Sequence, residues 1–218
     1  MALAIFDLDN TLIAGDSDHG WGEFLVEQGI VDQHLYQEKN DYYFQQYQQG
    51  KLDILDYLQF SLQPLTQHDL ATLHKLRDQF VAEKIIPIIT QKSRELLAKH
   101  RQAGDYLLII TATNLFVTEP IAKELGVDDI IATEPEFIDG AYTGKVAGIP
   151  SFQDGKVKRL TEWLAQNELS LQGSYFYSDS QNDLPLLKQV DYPVAVDADP
   201  TLLQYAQDHD WPIISLRD

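Results

Sequence analysis

The chain has 218 residues, 44% apolar and 11% aromatic, enough for one substantial core or two small ones. Its 34 acidic against 16 basic residues give a net charge of −18, a field that repels phosphodiester backbones and anionic lipid surfaces, so neither nucleic acid nor a membrane is an expected partner. Cysteine is absent, which excludes disulfides, thiol nucleophiles and zinc-finger sites.

The segment AIFDLDNTLIAGDSDHGWGEFL, residues 4–25, begins as an apolar run suited to a buried strand over residues 3–6, then ends that run in Asp7 and Asp9. No basic leader precedes it, and the longest uncharged apolar stretch, residues 106–118, is 13 residues long. A spanning helix needs roughly 20, so a soluble, cytoplasmic protein is expected. Between residues 16 and 85 the pattern turns helical. Trp21, Phe24 and Leu25, then Ile54, Tyr57, Leu58 and Leu62, recur at helical spacing, and few strand-like runs appear before Ile85 and Ile86. This stretch carries 12 acidic against 5 basic residues. It reads as an all-helical cap over 16–85, inserted into a catalytic core formed by 1–15 and 86–218.

Beyond residue 91, short apolar runs at 106–110, 130–132, 175–177, 193–196 and 213–215 alternate with helical patterns at 91–102, 117–125, 156–166, 184–189 and 201–207. Such alternation predicts parallel strands joined by crossover helices. Pro120 falls early in its predicted helix, where a missing N–H is tolerated. Asp139-Gly140, between β-prone residues of 136–148, predicts a hairpin, read as a flap. The fold class is α/β: a doubly wound, Rossmann-like parallel sheet with a small helical cap after the first strand.

In such a sheet, ligands bind at the carboxyl ends of the strands. Four polar positions should therefore meet: Asp7 with Asp9, Thr111 after YLLII, Lys156 at the start of a helix, and Asp179 with Asp183 after YFYS. Carboxylates crowded together repel one another unless a cation sits among them. A hard divalent ion such as Mg²⁺ takes oxygen ligands and leaves room for water and a phosphate oxygen. Lys156 and Thr111 suit the remaining phosphate oxygens. The two-residue spacing lets one of Asp7 and Asp9 attack phosphorus while the other serves the departing oxygen as acid and then water as base. No His-Glu-x-x-His pattern, Gly-x-Ser-x-Gly elbow or P-loop occurs, and Leu12 and Leu184 stand where a calcium loop needs glycine.

Four motifs, DLDNTL (7–12), IITAT (109–113), GKVKRL (155–160) and SDSQNDLPLL (178–187), resemble in order those of the haloacid dehalogenase superfamily of phosphohydrolases. The resemblance implies Asp7 as nucleophile and Asp9 as acid/base. It implies Thr111, Ala112 and Lys156 as phosphate binders, and a Mg²⁺ site from Asp7, Asp9 through its carbonyl, and Asp179, supported by Asn182 and Asp183. Lys156 fits the family register through Leu160 and Trp163, with Lys158 the alternative. Ser178-Asp179-Ser180 departs from the family's common Gly-Asp-Gly.

The helical insertion resembles the cap of the phosphoserine phosphatase branch. By register, Asp16 resembles the cap carboxylate that holds a substrate ammonium there. The arginine that holds the substrate carboxylate has no counterpart between Trp21 and Leu76, and Gln59, Phe60 and Ser61 stand in the matching region. Asp18, His19, Trp21 and Glu23 add acidic and aromatic character; aromatics such as Trp21 are more often core and acids such as Asp18 and Glu23 usually helix-start charges, but their place directly after the catalytic loop tips the balance slightly toward the site. A small phosphomonoester bearing an amine, without a carboxylate and with a stackable ring, fits. Histidinol phosphate meets that description. Phosphoserine, a phosphotransferase reaction and a non-catalytic phospho-receiver are the alternatives.

Overall fold

The computed structural model describes residues 2–217. Strand β1 (Leu3–Phe6) is buried on both faces, as its unbroken apolar sequence requires of a central parallel strand. It lies between β2 (Tyr106–Asn114) and β6 (Tyr175–Ser178). With β3 (Asp129–Thr133), β7 (Tyr192–Val196) and β8 (Ile213–Ile214) they form a six-stranded parallel sheet, ordered β3-β2-β1-β6-β7-β8. The chain fills one half outward from β1 and then crosses to β6, so the direction of winding reverses between β1 and β6. That reversal opens a crevice at the strands' carboxyl ends.

Because strand side chains alternate, β1 feeds two cores. Ala4 and Phe6 join Leu97 of α5 (Gln91–Ala103) and Ile121 of α6 (Leu115–Leu125) on one face. Leu3 and Ile5 join Leu160 of α7 (Asp154–Asn167), Leu186 of α8 (Leu184–Leu187) and Leu202 of α9 (Pro200–Asp208) on the other. Pro120 is not in the first turn as predicted, because α6 starts earlier, capped by Asn114. Proline therefore frees the Phe116 carbonyl one turn back, and the Arg77 guanidinium lies 3.5 Å from it as a replacement donor.

Between β1 and β2 lie α1 (Ser17–Glu27), α2 (Gln33–Gln48), α3 (Ile54–Ser61) and α4 (Leu70–Phe80). Each starts on an aspartate N-cap: Asp16, Asp32, Asp53 and Asp69 accept backbone N–H bonds from the first turn. Four of the 12 acidic residues of 16–85 thus mark helix starts. The segment leaves and rejoins the core on adjacent strands of chain, Ile13 bridging Ile89 in antiparallel fashion. Its apolar residues Trp21, Phe24, Leu58 and Phe80 continue the sheet's own core without a break. The predicted hairpin forms from β4 (Pro135–Ile138) and β5 (Ala141–Val146), with Asp139 and Gly140 both at positive φ, as a tight two-residue turn needs. Among the described residues no helix is long and apolar enough to cross a membrane.

Candidate active site

The floor of the site is built where β1 ends. Asp7 N–H still bonds the Tyr177 carbonyl at 2.9 Å, as the last rung of the ladder. The chain then breaks from the sheet: Asp9 is extended and Asn10 takes the left-handed conformation at φ 55°. The Asn10 N–H bonds the Gly15 carbonyl at 2.7 Å and closes the loop. Arg217 donates to the carbonyls of Asn10 and Thr11, fixing the loop from outside.

This loop sends its two carboxylates to different partners. Asp7 Oδ1 accepts from the buried Lys156 ammonium at 2.7 Å, and the same ammonium bonds Asp183 at 2.8 Å. Ser178 Oγ donates to Asp183 at 2.7 Å, so Asp183 serves mainly to hold Lys156. Lys156 reaches this point because Gly155 lets α7 start against the Pro150 carbonyl, which an added Cβ would approach to 2.0 Å. Lys158 is exposed. Asp9, by contrast, accepts from Ser17 N–H at 2.6 Å on one oxygen and from Thr113 Oγ1 at 2.8 Å on the other. Thr111 Oγ1 lies 3.4 Å from that second oxygen.

Asp179 arrives from the end of β6. The Thr11 hydroxyl lies 3.2 Å from its carboxylate and 3.4 Å from that of Asp7, which places the two acids side by side. Burial is the main force pushing the Asp7 carboxyl up to about 7; Asp183 and Asp9 add to it and Lys156 opposes it. Burial and the charges of Asp7 and Asp183 raise Asp179 well above the carboxylate range. Asp7 and Asp183 share one ammonium and Asp179 stands beside Asp7, and the excess negative charge is of the kind a dication offsets. The donor set is all oxygen, as Mg²⁺ prefers. Among the described residues no three acidic or histidine side chains converge on one point, since the Asp9 carboxylate is turned to Ser17 and Thr113. The carboxylates of Asp7 and Asp179, which share the Thr11 hydroxyl, are the pair available, which fits an ion that keeps water and phosphate among its other ligands.

Above the floor is a pocket bounded below by Asp7, Asp9, Thr111, Ala112 and Thr113. Asp16, Asp18 and His19 line it from α1, and Asn40, Tyr43, Phe44, Tyr47, Leu52, Ile54 and Tyr57 close it. None of these is a lysine or arginine. Asp16 accepts the N–H groups of Asp18 and His19, so it is a helix cap as well as a cavity wall. Burial, then the charge of Asp9, pushes its carboxyl up to about 7. Burial and the neighbouring Asp16 push Asp18 to about 8, although the Tyr57 hydroxyl bonds it. His19 stacks on Phe44 and bonds Asp41 at 3.0 Å.

Two expected wall residues lie elsewhere. Trp21 is 2% exposed and packs against Phe24, Phe80 and Phe116, because its place on α1 faces the sheet core and not the cavity. Glu23 is exposed one turn beyond His19, 3.6 Å from its ring. Asn182 lies behind the floor, where its amide accepts from Gln153 and donates to the Tyr47 carbonyl, tying the loop after β6 to α2. Sequence reasoning missed Thr113, Asn40 and the aromatics of α2 and α3. Tyr43 and Tyr47 stand four apart, the spacing of one helix face, in a stretch whose glutamines hide the signal.

A model of the haloacid dehalogenase-like hydrolase family matches residues 4–188. A histidinol-phosphatase of Neisseria meningitidis serogroup C (strain 8013) is 44% identical over 219 residues, covering 99% of each chain. A protein of unknown function from Bordetella pertussis Tohama I superposes with a TM-score of 0.94 at 41% identity, covering 99% of each chain. A substrate-bound phosphoserine phosphatase superposes with a TM-score of 0.73 at 18% identity, covering 99% of this chain and 93% of that one, a likeness of fold alone. With its strand-end acids, lysine and threonines gathered under one cavity and a family model spanning them, the chain belongs to the haloacid dehalogenase-like hydrolases and is a phosphatase of that family.

Proposed function

We propose that the chain is a Mg²⁺-dependent phosphomonoester hydrolase, working through an aspartyl phosphate, whose substrate is histidinol phosphate. The observation that carries the substrate is the cavity wall: two half-buried carboxylates, Asp16 and Asp18, no lysine or arginine, and a set of aromatic rings. A substrate ammonium meets the carboxylates, and an imidazole finds faces to stack on. A substrate carboxylate, as in phosphoserine, would meet like charge with nothing to bind it. Arg77, the first arginine of the chain, is engaged by Asp78, Glu119 and the Phe116 carbonyl outside the cavity. The relative named histidinol-phosphatase, aligned over almost the whole chain, supports the same reading.

In this mechanism Asp7 attacks phosphorus in line, Asp9 protonates the departing alkoxide, and Asp9 then takes a proton from the water that releases phosphate. Lys156 favours the ionised form of Asp7 against the effect of burial and, with the Thr111 hydroxyl and the Ala112 backbone, receives phosphoryl oxygens. The carboxylates of Asp7 and Asp179 and the carbonyl of Asp9 would hold Mg²⁺, which would supply charge neutralisation at the phosphoryl group. Residues 16–85 act as the cap that selects the substrate and excludes water. The partner is a small molecule in the cytoplasm, at a step of histidine biosynthesis, with no nucleic acid involved. Turnover of histidinol phosphate and of phosphoserine, with and without Mg²⁺, tests the reading. Histidinol phosphate is expected to be preferred in kcat/KM by roughly a hundredfold, about 2.7 kcal/mol; equal use of both, or faster use of phosphoserine, overturns the substrate.

A further inference from the structure

An acid/base carboxylate has two oxygens, and the hydrogen bonds around Asp9 distinguish them. Oδ1 accepts the backbone N–H of Ser17 at 2.6 Å. That group can only donate, so a proton on Oδ1 would point at another hydrogen across a very short contact. Oδ2 accepts from the Thr113 hydroxyl at 2.8 Å, with Thr111 Oγ1 at 3.4 Å on the same oxygen. A hydroxyl donates or accepts according to how its hydrogen is turned. Thr113 can therefore satisfy Oδ2 when it is ionised and when it is protonated, with no heavy atom displaced. The residue is 3% exposed, and its N–H bonds Thr111 Oγ1 at 3.2 Å, which fixes its side chain beside the phosphate-binding threonine.

We infer that Asp9 Oδ2 is the proton-carrying atom in both half-reactions and that Thr113 is a positioning residue whose hydroxyl follows that proton; the inference rests on Asp9 being the acid/base proposed above. In the first half-reaction a bond forms between an Asp7 oxygen and phosphorus, the bond from phosphorus to the ester oxygen breaks, and the Oδ2 proton passes to the departing alkoxide. The Thr113 hydrogen then turns toward the bare Oδ2. In the second, water oxygen bonds to phosphorus, the Asp7 oxygen is released, and the water proton returns to Oδ2 as the Thr113 hydrogen turns away. The Ser17 N–H stays on Oδ1 throughout and keeps the carboxylate from rotating.

The test compares an alkyl ester, histidinol phosphate, with p-nitrophenyl phosphate, whose leaving group departs without a proton. Thr113→Val removes the hydroxyl and Thr113→Ser keeps it. With valine, kcat for histidinol phosphate is expected to fall by roughly 10- to 100-fold while KM changes by less than about twofold. On p-nitrophenyl phosphate the same variant should show a larger rapid burst of nitrophenol than the parent, since formation of the phosphoenzyme is spared and its hydrolysis is slowed. Serine should restore turnover to within a few-fold. Parental turnover in the valine variant overturns the inference. So does a loss that strikes the nitrophenol burst and the steady rate by one factor, or a serine variant as slow as valine. Should valine prevent folding, Thr113→Ala gives the same contrast. Asp9→Asn, run alongside, separates the two levels: if it too turns over like the parent, the acid/base reading fails, whereas a dead Asp9→Asn beside a parental Thr113→Val removes only the role of Thr113.

Discussion

The floor of the cavity holds buried carboxylates and its wall holds half-buried ones, and the two regions treat them in different ways. On the floor, Asp7 and Asp183 share the Lys156 ammonium, and Asp9 is gripped on both oxygens by Ser17 and Thr113. On the wall, Asp16 and Asp18 have only N–H and hydroxyl partners and no cation, and their carboxyls are pushed up to about 7 and about 8. Charge met by the protein's own ammonium and donors, with its excess of the kind a dication offsets, sets up machinery that does not depend on which ester arrives. Charge left without a cation is a demand placed on the ligand, and this is how one floor serves chemistry while the wall above it serves choice.

The sharpest way to separate the regions is Asp7→Asn. Loss of the nucleophile is expected to lower turnover of every phosphomonoester by about 10⁴-fold or more, the scale seen when a covalent catalyst is removed. Histidinol binding by calorimetry should persist, because the wall is intact. Loss of that binding as well would show that floor and wall are one unit. Next in size, Lys156→Met leaves Asp7 and Asp183 buried without their cation. Breaking such a buried ionic cluster from one side costs about 3–5 kcal/mol, to be read as a lower denaturation midpoint in urea.

Asp16→Asn tests the wall alone. Removing one charge-assisted contact to an ammonium is worth about 1.5–3 kcal/mol, so KM for histidinol phosphate is expected to rise by roughly 10- to 100-fold. KM for ethyl phosphate, which has no amine, should stay within about twofold of the parent. A parallel rise for both esters would mean that Asp16 acts only as the cap of α1.

The same contrast explains what was legible in the sequence. Floor residues follow strands, and a strand's apolar run ends abruptly, so Asp7, Thr111 and Asp179 could be located from burial pattern and their meeting inferred from winding alone. Lys156 could be told from Lys158 only by family register, and its burial beside Asp7 is consistent with that choice. Wall residues carry no such mark. On a helix every third or fourth residue shares a face, but which face looks at the cavity depends on how the helix is rolled about its axis. Trp21, placed with Asp18 and His19 by its neighbourhood in sequence, turned to the core for that reason. Tyr43, Tyr47 and Tyr57 reach the cavity from helices that the motifs never mention.

The charge demand of the wall also carries a pH signature. An ammonium ligand favours ionised Asp16 and Asp18, while the free site holds their protons up to about 7 and about 8. Binding of histidinol therefore releases protons below those values, and its affinity should rise as pH goes from 6 to 8 and level off above. The expected gain is roughly tenfold, since each pKa displacement of one unit corresponds to about 1.36 kcal/mol. Asp18→Asn should flatten the upper part of the rise. Calorimetry at several pH values checks both, and an affinity that falls across this window would contradict the pairing of the amine with these acids.

The smallest expected effect bears on where the wall ends. Glu23 is the last acid of the N-terminal segment expected to face substrate, yet its side chain is 56% exposed and stands 3.6 Å from His19 on the outer side of α1. A charge in that position is screened by solvent and interacts weakly with anything inside the cavity. Glu23→Gln should leave KM for histidinol phosphate within about twofold of the parent, while an Asp16→Asn variant made in the same background keeps its full penalty. If Glu23→Gln instead raised KM as much as Asp16→Asn, the substrate's amine would have to reach past His19 to the outer groove, and the boundary between wall and surface would need to move outward by one helical turn.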